Sequence, residues 1–223
     1  RHSRLEQFFG EILLLTSLNT HFLPYHNGGH HLNVATPKDP ATARKNQLLY
    51  TFWFTSHFSS YFQAWTLENN LMRHQGKSIF SLSNRMVSYS IANIVLLVAI
   101  YYFLGTYVLL TFIAAAVIGI GLLETINYIE HYGLQRKQNE KGRYEPVRHH
   151  HSWNSDHVLG RAMLFNLSRH SDHHYNGSIK YQVLKSVPTS PQMPTGYPGT
   201  VVLAVFRPRR FYVMNRRLEA IQK

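Results

Sequence analysis

The longest apolar run in the chain covers residues 86–125 and divides at Gly105-Thr106 into two stretches, 86–104 and 107–125. Each holds 19 residues. At 1.5 Å per residue, each comes close to the ~30 Å hydrocarbon thickness of a bilayer. The pattern predicts a transmembrane hairpin with Gly105-Thr106 at its tip. Residues 5–25 are also apolar, but Glu6, Glu11, Thr16, Ser17 and Asn19 interrupt them. They predict a buried or in-plane helix rather than a span, bent or ended at Pro24. Residues 46–70 carry Tyr50, Phe52, Trp53, Phe54, Phe58, Tyr61, Phe62 and Trp65. This aromatic density predicts a helix at headgroup level.

The remaining segments are broken by turn residues. Pro37 and Pro40 make residues 32–47 a loop. Gly142, Pro146, Pro188, Pro191, Pro194, Gly196, Pro198 and Gly199 punctuate the C-terminal part, with one helix predicted near residues 158–175. Residues 200–206 are apolar but too short to span, and read as packing or a shallow membrane contact. The fold class expected is mainly α: a multi-pass membrane helical protein forming one membrane-embedded unit over residues 1–223.

Charge sets the topology. The formal net charge is +12, and all 23 Lys and Arg lie at or before Arg85 or at or after Arg136. A basic chain invites a nucleic-acid reading, but a central stretch empty of basic residues is a membrane pattern, and no nucleic-acid partner is expected. The hairpin tip carries no charge while both open ends are basic. By the positive-inside tendency, residues 1–85 and 126–223 are cytoplasmic and the membrane is the inner, cytoplasmic one. Arg207, Arg209, Arg210, Arg216 and Arg217 give the chain a basic end, suited to anionic lipid or an acidic partner.

Candidate chemistry resides in histidine. There are 15 His and no Cys, so thiolate zinc sites, iron–sulfur clusters and disulfides are excluded, and any metal is held by nitrogen and oxygen. His170, His173 and His174 stand at i, i+3 and i+4, one face of a helix. His26, His30 and His31 form a second group, and His131 follows the longest apolar run. Two spans return the chain to its starting side, so all three groups share one membrane face. Seven histidines exceed what one ion takes, which points to two. Glu130 and Asp172 are neighbours of these histidines and read either as ligands or as carboxylates that orient them. Glu124 and Asn127 fall on the helical face of His131. His57 and His74 read as surface or interfacial residues.

The motifs resemble those of the integral-membrane alkane monooxygenases, non-heme di-iron ω-hydroxylases. The resemblance runs nearly end to end: His26-Asn27-Gly28-Gly29-His30-His31 with Val34-Ala35-Thr36-Pro37-Lys38-Asp39-Pro40-Ala41; Asn127-Tyr128-Ile129-Glu130-His131-Tyr132-Gly133; Gly142-Arg143-Tyr144-Glu145; His150-His151-Ser152-Trp153-Asn154-Ser155; and Arg169-His170-Ser171-Asp172-His173-His174. It implies two iron ions held by His26, His30, His31, His131, His170, His173 and His174. The residues expected to support them are Glu124, Asn127, Glu130, Asp172, His150, His151, Asn154 and His21. His149 and His157 read as supporting or structural residues.

The resemblance further implies O2-dependent terminal hydroxylation of n-alkanes to primary alcohols, in contact with membrane lipid. It also implies electrons from rubredoxin and its reductase. The family's first box, His-Glu-x-x-His, is absent, and Arg1 resembles the basic residue after it, so the chain is expected to begin inside a longer protein. Tyr25 and Ser168 stand where the family usually has Glu and Gln. Two alternatives stay open: a membrane fatty-acid desaturase or lipid hydroxylase, and a non-catalytic membrane metal-binding protein or transporter.

Overall fold

A computed structural model describes residues 3–222. In chain order the helices are α1 (Arg4–Thr16), α2 (Phe22–Tyr25), α3 (His31–Asn33), α4 (Leu49–His74), α5 (Arg85–His131), α6 (Val158–Met163), α7 (His170–Tyr175), α8 (Tyr197–Val205) and α9 (Arg207–Gln222). A π-helical turn, His26–His30, links α2 to α3. Among the described residues there is no β-strand, only isolated bridges at Gln138–Tyr144 and Asn154–Gln192.

The chain forms two compact units. The first comprises Arg1–Gly29 and His57–Leu123, the second His30–Ser56 and Glu124–Lys223. In the first, Glu68 is buried and holds Arg85 at the start of α5. Its Oε1 lies 2.6 Å from the guanidinium, and its Oε2 accepts the Arg85 backbone N–H at 3.0 Å. The donors left open at a helix N-terminus are satisfied in this way by a carboxylate.

α5 is long and apolar enough to cross a membrane, by length and composition, and its most apolar window is almost wholly exposed. Val95, Val98, Tyr102, Phe103, Tyr107 and Ile118 are all exposed. An apolar surface of that extent is untenable in water and natural in lipid. Its helical path breaks at Gly105 (φ 82°, ψ 172°), a conformation that glycine adopts without a Cβ clash. The break falls where the sequence places the tip of the hairpin.

Two elements differ from expectation. The N-terminal helix α1 is, as expected, too short to span, with 13 residues, but it ends at Thr16, before Pro24, and Leu18 takes a positive φ of 53° just beyond it. The single helix expected near 158–175 is two, α6 and α7. Phe165 (φ 49°) and Asn166 (φ 64°) turn the chain between them, and Asn is among the few residues that enter this left-handed region readily.

In the second unit, a core of Leu49, Phe52, Tyr128, Ile129, Tyr132, Trp153, Tyr197, Met214 and Leu218 surrounds the end of α5. Arg210 does not join the basic surface of α9. It is buried, with its guanidinium 4.5 Å from the Tyr128 ring centre and 4.3 Å from that of Phe211, and it donates to the carbonyl of Gln47. Arg209, Arg216 and Arg217 are exposed.

Candidate metal centre

Four histidines of the second unit converge. His30 closes the π turn, His131 is the last residue of α5, and His170 and His174 stand one turn apart on α7. One ring nitrogen from each lies within 4.8 Å of all the others. Donors ~2.1 Å from one ion are at most about 4.2 Å apart, so the four nitrogens are close to the spacing that one ion takes. All are buried. The Nε2 atoms of His131 and His170 approach to 3.1 Å, and the His30 and His174 ring centres are 4.7 Å apart.

Burial of imidazole nitrogens without partners is costly. His131 Nδ1 and both ring nitrogens of His174 are buried with no hydrogen bond among the described residues. A cation that accepts their lone pairs removes that cost, and neutral imidazoles suit a transition metal. The donor set fits a metal ion.

Two carboxylates orient these rings. Asp39, fully buried, sits 2.9 Å from His30 Nδ1 and also accepts the Thr42 hydroxyl at 2.6 Å. Burial pushes its pKa up, but the charge and hydrogen bond of His30, together with His131 and the Thr42 hydroxyl, hold it below the usual carboxylate value. Glu130 lies 3.3 Å from His170 Nδ1 and accepts the Tyr197 hydroxyl at 2.7 Å. Glu130 therefore holds a histidine from another element, not its neighbour in sequence.

At the edge of the cluster, the half-buried His31 and His173 rings are 4.7 Å apart. Gly177 makes room for His31, since a Cβ there would lie 2.9 Å from the ring. His26 opens the π turn and lies in the first unit, 4.8 Å from the Phe22 ring. His21 is in the first unit too, 3.4 Å from Ser60 Oγ and beside His57.

The other expected residues fall as follows. Glu124 accepts from Asn127 at 3.4 Å, both buried on the last turns of α5. Asp172 turns to His149 (3.3 Å) and the Lys185 backbone N–H (2.8 Å). Asn154 accepts the Ser171 hydroxyl at 3.1 Å, anchoring α7.

Glu145, His150 and His151 also group at ligand spacing. However, His151 Nδ1 accepts the Arg148 backbone N–H at 3.0 Å. That places the ring proton on Nε2, 3.3 Å from Glu145, so this group is a hydrogen-bonded turn. The spacing of the histidines does not point to Asp39 or Tyr197. The only signal for Asp39 was its place in the Thr36-Pro37-Lys38-Asp39-Pro40 segment.

Burial holds these histidines neutral. His31 is lowered to about 3, by burial first and then by His173 and His30. His173 is lowered to about 4, by burial and then His30. His174 lies well below the ordinary value, by burial and then its His neighbours. An unfolded chain takes up these protons near pH 6.5, so folded stability is present above that pH and lost as pH falls toward 4. The metal-free protein should lose about 1.4 kcal/mol per pH unit for each such histidine. A melting series from pH 8 to pH 5 reads this directly, and a flat profile would contradict it.

Comparison with known proteins adds an independent line. A family model described as fatty acid desaturase matches residues 1–201. The chain is 40% identical over 220 residues to alkane 1-monooxygenase 1 of Pseudomonas aeruginosa, covering 99% of this chain and 58% of that protein. It is 40% identical over 201 residues to alkane 1-monooxygenase 1 of Alcanivorax borkumensis (90% and 50%). It is 38% identical over 200 residues to alkane 1-monooxygenase of Ectopseudomonas oleovorans (90% and 50%). The chain thus spans between half and three-fifths of the length of these relatives.

Proposed function

From the premise that the chain belongs to the fatty acid desaturase family, we propose that it carries metal-binding machinery of an O2-dependent alkane 1-monooxygenase. The observation that carries the reading is the buried cluster of His30, His131, His170 and His174, with partnerless ring nitrogens on His131 and His174. The proposed ligands are these four with His26, His31 and His173, and the proposed cofactor is two iron ions. Bound iron supplies the activation of dioxygen for insertion of one oxygen atom into a terminal C–H bond.

The chain's own residues do the rest. Asp39 and Glu130 accept hydrogen bonds from the Nδ1–H groups of His30 and His170, which turns Nε2 of each ring toward the ion. The buried walls exclude water from the donors. The exposed apolar surface of α5 places the unit in lipid, where n-alkanes dissolve. The two halves of α5 on either side of Gly105 form the proposed hairpin, and the basic flanks support a site on the cytoplasmic side of the inner membrane. The histidine site supplies no electrons. A rubredoxin with its reductase is the proposed donor, and exposed Arg209, Arg216 and Arg217 suit an acidic protein of that kind.

The family description equally admits chemistry on acyl lipids. The intact membrane protein, supplied with an electron source and 18O2, should convert an n-alkane to a primary alcohol carrying one 18O, read by mass spectrometry. A desaturated acyl lipid with no labelled alcohol would overturn the proposal in favour of the desaturase.

A further inference from the structure

We infer that Tyr197 is a positioning residue for the metal centre, acting through Glu130 on His170. The inference rests on the reading of His170 as a ligand. Three side chains from three elements form one line: the Tyr197 hydroxyl donates to Glu130 Oε1 at 2.7 Å, and the same Oε1 faces His170 Nδ1 at 3.3 Å. Tyr197 is 3% exposed, Glu130 4% and His170 6%, so water does not substitute for any of the three.

The geometry assigns each hydrogen. An imidazole that gives Nε2 to a metal carries its proton on Nδ1, and that N–H needs an acceptor. Glu130 Oε1 is that acceptor. A carboxylate buried with one donor is poorly compensated for the water it has lost. The Tyr197 hydroxyl provides the second donor and fixes which oxygen faces the imidazole. Without it, the carboxylate is free to swing about its own side chain, and His170 loses its aim.

Tyr197 is itself held in place. It begins α8, and its ring packs 3.4 Å from where a Cβ on Gly160 would lie. Glu130 is held too: its backbone carbonyl accepts the Trp153 N–H at 2.8 Å. The line therefore joins two fixed ends, and the hydroxyl is its only mobile hydrogen.

The probe is Co2+ alone, titrated into metal-free membrane protein, with affinity and the visible absorption of the bound ion as readouts. Tyr197→Phe should weaken Co2+ about tenfold or more and shift its absorption, with a modest fall in the metal-free melting temperature from the lost buried hydrogen bond. Glu130→Gln should show a loss of the same order. The double variant should lose no more than the larger single one, because both changes cut one line. His170→Ala is the reference for the site.

Loss in His170→Ala with wild-type affinity and spectrum in Tyr197→Phe would overturn the inference and leave the metal site standing. Additive losses in the double variant would overturn it as well. Wild-type binding by His170→Ala would overturn the ligand reading and the inference with it. With that fall in the metal-free melting temperature the cycle still decides, because coupling is the difference between the two backgrounds.

Discussion

Replacing His174 by Ala in the intact membrane protein should remove metal and abolish the proposed hydroxylation together. His174 is 4% exposed, and neither ring nitrogen has a hydrogen-bond partner among the described residues. A buried imidazole in that condition is a poor structural residue. It contributes packing and two unsatisfied polar atoms, which cost stability unless a ligand meets one of them. Deleting it removes a donor and leaves three. It also opens a cavity against His30, His131 and His170, whose rings are within 4.9 Å of it. Metal content by elemental analysis should fall with activity, and the metal-free melting temperature should fall far less than activity. His57→Ala should change neither metal content nor turnover. Retention of metal and hydroxylation in His174→Ala would exclude it as a ligand.

Gly133→Ala should be the most damaging single methyl in the chain. Gly133 follows the end of α5 two residues after His131, with φ at +72°, a left-handed cap that costs a residue with a Cβ about 1–2 kcal/mol. The added Cβ would lie 2.4 Å from Leu218 Cδ1 and 3.4 Å from its Cγ. Leu218 is fully buried on α9 and has no solvent to move into. Overpacking of this kind costs about 1–3 kcal/mol more. The sum, about 2–5 kcal/mol, is a large share of the stability of an ordinary domain. Leu218→Ala should relieve the steric part, so the double variant should be less unstable than the two single losses added together. Strict additivity in thermal melting would show that the clash is absent.

The histidine groups were legible because helical spacing is local. His170 and His174 share a face in any helix, whatever surrounds it. Their meeting with His30 and His131 had a sign in the sequence, since two apolar stretches of spanning length predict that the chain returns to its starting side. The partners of the rings were not. Asp39 reaches His30 from nine positions further along the chain, past α3 and a prolyl turn, and Glu130 serves His170 although it adjoins His131. Both depend on how a loop closes, and no periodicity encodes that. The break between α6 and α7 had a visible sign in Asn166, but Phe165 at positive φ had none, and the apolar pattern ran through it. Arg210 read as surface charge because its neighbours are basic. Its burial under Tyr128 and Phe211 is set by tertiary packing.

The convergence of His30, His131 and His170 on one point has a topological consequence. The chain contains no cysteine and so no covalent clasp. An ion at that point ties together positions 101 residues apart (131 − 30) and 39 residues apart (170 − 131). Closing loops of these lengths removes chain entropy from the unfolded state worth about 4–5 kcal/mol each, in the loop-entropy account developed for disulfides. The bound ion is then the cross-link that the sequence lacks, and a chelator acts on this chain as a reductant acts on a disulfide-bridged one.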